Sequence, residues 1–446
     1  MKNLTEGNIY KTFILFAVPL VMAGFLSQAY NIIDSIIAGK FLGEAGLAAV
    51  GATSAFISFV SAAFWGFGTG VSVYTGILFG AKNFKELKTS LFSNTAIFIS
   101  VHIVLSAIII VFRSYIFRFL RIDAKIEQDA AIYFNIYIGG MVFIMLNYFG
   151  TYTMHALGMS GFPFRMSLVS TALNIGGNLL SVAVLKIGVA GVALSSVLSA
   201  LIVDVCYLLK LRKCFAEMGV GEYKAKFSMR IVKKTLGVSI PTTLQQGVMY
   251  LASFVISPII NGIGSSATAA YSVVLRIYDI NAGVYQNSAK TLMNYTAQCV
   301  GAGKVDNLKK GVRVGFLQGL MFLSPFLLAS VLFSNQFCEA FFPTGYRGEA
   351  LTYSVVFTKY FMPLVLFNVI NNLFHAFFRG VKAAGMLLIS TAIGSVSRVI
   401  ATFILADSYG MYGVYAGWAL SWIMEAVFVL AVYWSGVWKK NILPDA

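Results

Sequence analysis

The sequence predicts an all-α membrane protein: twelve transmembrane helices in two parallel six-helix repeats, an N-lobe and a C-lobe, around a central cavity. Three observations predict it. Of 446 residues, 58% are hydrophobic and only 11% are charged, whereas soluble domains carry about 25% charged residues and need them to cover their surface. Twelve stretches reach the length of about 20 mostly apolar residues that a helix needs to cross a bilayer. The second half of the chain repeats motifs of the first in a nearly constant register.

The spans lie at about 12 to 38, 47 to 79, 90 to 112, 130 to 157, 163 to 185, 188 to 209, 235 to 261, 267 to 300, 312 to 334, 350 to 378, 383 to 407 and 411 to 437. The first is too long for the core of a signal peptide, and no cleavable small-residue site follows it. An even number of spans puts both termini on one side. The connections and tails on that side hold roughly 22 Lys and Arg against about 8 opposite, which makes that side cytoplasmic. The expected location is therefore the cytoplasmic membrane of a prokaryotic cell, multi-pass, with both termini inside. The net charge of +16 sits in clusters between spans, such as KNFKELK at 82 to 88 and KLRKC at 210 to 214. Such clusters act as topology signals and contact anionic membrane lipids, so no nucleic-acid partner is implied. Cys206, Cys214, Cys299 and Cys338 form no CxxC and have no histidine companions, which indicates neither a zinc site nor a disulfide framework.

The most basic connection divides the chain into an N-lobe at 1–209, a cytoplasmic linker at 210–234 and a C-lobe at 235–446. GAKNFKELK at 80 recurs as GAGKVDNLK at 301, Pro19 as Pro241, and Gly188 with Gly191 as Gly410 with Gly413. His155, Ala156, Met166, Ser170 and Thr171 match His375, Ala376, Met386, Ser390 and Thr391, all five in one register. Six spans return the chain to the same side, so the repeats are parallel and related by an axis along the membrane normal, an arrangement used by secondary transporters. GAGK at 301 to 304 has Gln298 where a phosphate-binding loop needs its first glycine, so energy would come from an ion gradient. No HExxH and no GxSxG occurs, and there are only three histidines. The chain is expected to be no enzyme and to need no cofactor beyond transported Na⁺ or H⁺.

Charge inside a membrane is expensive and usually has a task. Asp34 lies about 9 Å below Lys40 at the outer end of span one, at 1.5 Å per residue. Asn174 and Asn178 share one face of span five as an i,i+4 pair, and Ser196 in span six lies about as deep. One carboxylate, two amides and a hydroxyl offer hard oxygen ligands for a small cation, or for a carboxylate that alternates between proton and cation. Asp34, Asn174 and Asn178 would be the ligands if that ion is Na⁺. Helix-to-helix hydrogen bonding is the alternative for the amides and the serine. In span eight, Arg276, Asp279, Gln286 and Lys290 fall on one helix face, as cavity lining or with Arg276 and Asp279 neutralising each other. Asn368, Asn371, Asn372 and His375 form a stripe on span ten; Gln245, Met249 and Ser253 form one on span seven. Asp204 and Glu425 occupy matching places in spans six and twelve and are expected to pair or snorkel. His155 and His375 are expected to be hydrogen-bonded structural histidines. Pro19 is a bend point, and Tyr30 would offer a cation–π surface.

LTEGNIYKTFILFAVPL, LSQAYNIIDSIIAGKFLGEAGLAAVG at 26 to 51 and FGAKN at 79 to 83 resemble the multidrug and toxic compound extrusion (MATE) family. The resemblance extends over the whole chain through the twelve spans and the paired GAK-type loops. It implies a V-shaped antiporter, functional as a monomer, that exports cationic or amphipathic small molecules in exchange for Na⁺ or H⁺. It places the family's first-span acid on Asp34 with neighbours Tyr30 and Gln28. It places the N-lobe cation site on Asn174, Asn178 and Ser196, and the bending proline on Pro19. Acids that the NorM-like branch carries in spans seven and ten are replaced here by Gln245, Gln246, Asn368, Asn371 and Asn372, which is closer to the DinF-like branch. Arg276, Asp279 and Lys290 are not explained by the family pattern. A lipid-linked saccharide flippase of the same superfamily is the runner-up, with Arg276 and Lys290 facing anionic head groups. A membrane-embedded enzyme or a channel is the remaining alternative.

Overall fold

The computed structural model describes residues 1 to 442, apart from the side chains of Asn31, Ile32, Asp34, Ser35, Ala38, Glu44, Ala55, Ala62 and Ala63. Among the described residues all regular structure is helical. The chain runs through α1 (Ile9–Gly80), α2 (Phe84–Val111), α3 (Arg113–Phe119), α4 (Glu127–Ala156), α5 (Gly161–Asn178), α6 (Val189–Glu217) and α7 (Met229–Ile263). It continues through α8 (Ser265–Gly301), α9 (Asn307–Leu332), α10 (Ser334–Glu339), α11 (Glu349–Val356), α12 (Val365–Gly380), α13 (Ala384–Tyr409) and α14 (Met411–Ser435).

Among the described residues, eleven helical stretches are long and apolar enough to cross a membrane, two of them within α1. The remaining expected span is α8. It has 37 residues but misses the same apolarity because it carries Arg276, Asp279, Asn281, Gln286, Asn287, Lys290 and Asn294. Spans one and two are separated by a break at Gly43, whose φ of 70° and ψ of −171° need a residue without Cβ.

Span ten, read from the sequence as one stretch at about 350 to 378, is divided. A wide π turn at Phe357–Phe361 and a 3-10 turn at Met362–Leu364 separate α11 from α12. Pro363 has no N–H to give, and its ring crowds the carbonyl four residues back, so an α-helical ladder loses a bond and is strained at this point. Span five also ends in a π turn, Leu179–Val184, directly after Asn178.

By packing the chain forms two units: Met1–Asn3 with Met22–Ser239, and Leu4–Val21 with Ile240–Ala446. The linker residues thus sit with the first unit, where Lys88 Nζ on α2 donates to the carbonyls of Val220 and Gly221 at 2.9 and 2.7 Å. The start of α1 sits with the second. Phe13, Phe16 and Leu20 are buried in one core with Leu292, Phe374 and Phe377, and Phe13 meets Tyr295 edge-on at 5.0 Å. Ile9, Phe13, Phe16 and Leu20 share one face of this helix, which signals burial, but nothing in that pattern says against which half of the chain.

Candidate functional site

In the first unit, α5 and α6 approach closely because Gly177 has no side chain. A Cβ there would lie 2.9 Å from Ser195 Oγ, and small residues at such crossings are what let membrane helices pack backbone to backbone. This approach joins the predicted polar residues. Asn178 Nδ2 donates to Asn174 Oδ1 at 2.9 Å, and Asn174 Nδ2 donates to Ser196 Oγ at 3.0 Å. Ser196 passes its own proton to the Val192 carbonyl at 3.1 Å. Asn174 and Asn178 are 2% and 0% exposed. Asp34 belongs to α1, but its side chain lies outside the described residues. Gln28 is exposed and Tyr30 half-buried on the same helix. Pro19, also in α1, leaves the Leu15 carbonyl without its helical donor.

The second unit holds a denser polar cluster. Arg379 on α12 donates Nη2 to Gln245 Oε1 on α7 at 2.6 Å. A guanidinium can only donate, so this contact orients the amide: Gln245 Nε2 faces His375 Nδ1 at 3.1 Å and Thr391 Oγ1 at 3.0 Å. An amide nitrogen also only donates. His375 Nδ1 therefore bears a lone pair, and the ring is neutral with its proton on Nε2. That proton points at Ser390 Oγ, 2.8 Å away, and Glu425 Oε1 lies 3.3 Å from the same nitrogen. Glu425 also accepts from Thr391 Oγ1 at 3.0 Å and from Asn371 Nδ2 at 3.2 Å. The buried carboxylate joins α12, α13 and α14, and Gln245 ties α7 to the same cluster through Arg379, His375 and Thr391.

The stripes read from the sequence are divided by the structure. Of the span-ten stripe, Asn371 and His375 enter the Glu425 cluster. Asn368 instead donates to Tyr278 and Tyr285 hydroxyls at 2.7 and 3.0 Å, and Asn372 donates to Asn368 Oδ1 at 3.1 Å. Of the span-seven stripe, Gln245 is buried, while Met249 is 46% exposed. Ser253 Oγ accepts from Arg398 at 3.4 Å, whose guanidinium lies 4.7 Å from the centre of the Trp418 ring. Arg276, Asp279 and Gln286 are exposed. Among the described residues Arg276 and Asp279 form no contact ion pair, although the guanidinium still acts electrostatically on the carboxylate. Lys290 donates to Asn287 Oδ1 at 2.8 Å.

Glu425 neither snorkels nor pairs with a lysine or arginine; it is 9% exposed and sits mid-helix. Its importance was visible only as a carboxylate inside a span. Its partners come from helices whose contacts no spacing rule foretells. Arg379 and Thr391 were likewise missed as members of one cluster.

The family model MatE matches residues 19–180 and 241–404, one match in each half of the chain. The probable multidrug resistance protein YoeA of Bacillus subtilis (strain 168) is 25% identical over 98% of this chain and 96% of its own length. Among solved structures, the outward-facing conformation of a multidrug resistance MATE family transporter of the MOP superfamily superposes with a TM-score of 0.88, at 18% identity over 99% of both chains. A MOP superfamily transporter from Pyrococcus furiosus, described as having a binding pocket of reverse polarity, gives 0.86 at 18% identity over 99% of this chain and 98% of its own. At these identities the structures are like this chain in fold.

Proposed function

We propose that this chain, which belongs to the MATE family of multidrug efflux transporters, is a secondary active antiporter that exports cationic or amphipathic small molecules in exchange for Na⁺ or H⁺. As a member of that family it is a transporter and not an enzyme. The supporting observation is the buried chain Asn178, Asn174, Ser196, which sets amide and hydroxyl groups across α5 and α6 in the unit that also contains Asp34.

In this reading Asp34 is the coupling carboxylate. An ion entering from outside neutralises it, removing a charge that costs roughly 2.5–3.5 kcal/mol at the centre of a span. α1 then bends at Pro19, where one backbone bond is already missing, and substrate held by Gln28, Tyr30, Gln245, Met249, Asn368 and Asn372 is released outward. Na⁺, if it is the ion, would be held by Asp34, Asn174 and Asn178. The protein acts as a monomer of the DinF-like branch in a prokaryotic cytoplasmic membrane, with both termini inside.

A specific observation favours the second reading, a flippase for lipid-linked saccharides. The one expected span that falls short of the others' apolarity, α8, presents the exposed Arg276 and also carries Lys290, and cations suit anionic head groups. Purified protein in ethidium-loaded liposomes separates the two. Export under an inward Na⁺ or H⁺ gradient by wild type, lost in Asp34→Asn, supports the antiporter and names its ion. Wild-type export retained in Asp34→Asn refutes the assignment of Asp34. No ethidium export, with flipping of a fluorescent anionic lipid-linked saccharide that Arg276→Gln abolishes, selects the flippase.

A further inference from the structure

Asp204 is the repeat mate of Glu425 and lies in the middle of α6 (Val189–Glu217), about 20 Å from either end at 1.5 Å per residue. The partners of Glu425 have mates as well. His155 and Thr171 stand in the first half where His375 and Thr391 stand in the second, and in the same register Thr151 matches Asn371. The first unit thus carries the parts of the cluster that holds Glu425, with two differences. Met159 stands at the position of Arg379, and Ala23, in the register that pairs Pro19 with Pro241, stands at that of Gln245. The cation and the amide that complete the second cluster are therefore absent from the first.

The two acids are in different states. Glu425 accepts two hydrogen bonds, from Asn371 and Thr391, and lies 3.3 Å from His375 Nε2. Asp204 accepts none: both of its oxygens are buried and, among the described residues, without a hydrogen-bond partner. Thr151, which by repeat would reach it, bonds instead with the hydroxyl of Tyr207 at 2.8 Å, one turn further along α6. Besides Asp204, the titratable groups on the same helix and on those packed against it are Cys206, Tyr207, Lys210, Arg212, Lys213, Cys214 and Glu217 on α6, Glu127, Asp129, Tyr133, Tyr137, Tyr148, Tyr152 and His155 on α4, and Arg165 on α5. None of them gives Asp204 a hydrogen bond or an ion pair. An ionised carboxylate buried in that setting has no donor to hold its charge, whereas a protonated one carries no charge to desolvate.

We propose that Asp204 is a proton-binding site of the first unit: it holds a proton in this conformation and releases it in another, where His155 and Thr171 supply the donors that His375 and Thr391 give to Glu425. Asp204 is eight residues, about 12 Å, nearer the linker than Ser196 on the same helix. It is an inner station for a proton, separate from the Asn174–Asn178–Ser196 group. This use of the proton rests on the antiporter reading; occupancy by the proton does not.

The test reads the proton directly. Infrared spectra of the purified protein at neutral pH are expected to show a protonated-carboxyl C=O band that is lost in Asp204→Asn and retained in Glu425→Gln. A band unchanged in Asp204→Asn, or no such band in wild type, overturns the proposal. Should Asp204→Asn fail to fold, aspartate-labelled wild type serves, because one buried aspartate must keep its protonated ¹³C carboxyl signal at neutral pH and lose it at alkaline pH; an ionised signal for every aspartate at neutral pH overturns it. Asp34 can contribute a protonated signal, so the labelled spectrum is compared with that of Asp34→Asn, which must keep it. Because neither spectrum needs transport, failure of export under any gradient leaves this result standing.

Discussion

Arg379 Nη2 lies 2.6 Å from Gln245 Oε1, and this single bond determines where His375 carries its proton. The guanidinium holds the amide oxygen, the amide nitrogen turns to Nδ1, and the imidazole proton is left on Nε2 beside Glu425. A charged group on α12 thereby sets the tautomer of a neutral group one turn back on the same helix, through an uncharged intermediary on α7.

Gln245→Glu reverses that assignment. The new carboxylate still accepts from Arg379, but its second oxygen faces Nδ1 and can only accept. His375 is therefore expected to take up a proton at Nδ1 and become imidazolium between two carboxylates. Nitrogen-15 spectra of labelled histidine should show Nδ1 unprotonated in wild type and protonated in the variant. An unprotonated Nδ1 in both would mean that Arg379 does not orient the amide.

Glu425→Gln tests the opposite side of the cluster. Asn371 Nδ2 and Thr391 Oγ1 donate to the carboxylate, one to each oxygen, and His375 Nε2 lies 3.3 Å from it, so an amide in its place sets its own NH₂ against at least one donor. Leaving a buried donor without an acceptor costs about 1–3 kcal/mol. A lower melting temperature in detergent is expected, with Glu425→Asp less affected than Glu425→Gln.

The spans, the repeat and the inward polar residues of α5 and α6 were legible because each rests on local spacing: apolar runs of bilayer length, matching motifs, and Asn174 four residues before Asn178. Two things were not. Pro363 signals that a helix stops, but not that a π turn precedes it, since a wide turn depends on what packs around Phe357. The cluster around Glu425 was not legible either, because Gln245, Arg379, Thr391 and Glu425 are brought together by helix crossings, and Gln245 and Thr391 look in sequence like ordinary helix-joining polar residues. Asn368 and Asn371 stand three residues apart on one stripe, yet one bonds tyrosines on α8 and the other the acid on α14.

Gly177→Ala probes the approach that builds the first-unit group. The added Cβ would lie 2.9 Å from Ser195 Oγ and 3.0 Å from Ser195 Cβ, so α5 and α6 must part. Overpacking of this kind costs about 1–3 kcal/mol. Adding Ser195→Gly removes both near atoms, and the double variant should recover most of the lost melting temperature. Independent losses in the two variants would show that the helices do not meet there.

Asn174→Ala separates a structural amide from an ion ligand. Asn174 makes one bond within α5, to Asn178, and one across to Ser196 on α6, and a hydrogen bond between membrane helices averages about 0.6 kcal/mol. A purely structural role therefore predicts a stability loss of about 1 kcal/mol that does not change with the salt present. A ligand role predicts more. A bound ion stabilises the folded state by RT ln(1 + [L]/Kd), about 2.7 kcal/mol at a hundredfold excess over Kd. If Na⁺ is the coupling ion, replacing K⁺ by Na⁺ at constant ionic strength should raise the melting temperature of wild type and leave Asn174→Ala unmoved. If the ion is H⁺, the same replacement should move neither protein, and lowering the pH should stabilise wild type relative to Asp34→Asn. An equal Na⁺-dependent rise in wild type and Asn174→Ala would remove Asn174 from the ligand set while leaving its bonds to Asn178 and Ser196 as its whole contribution.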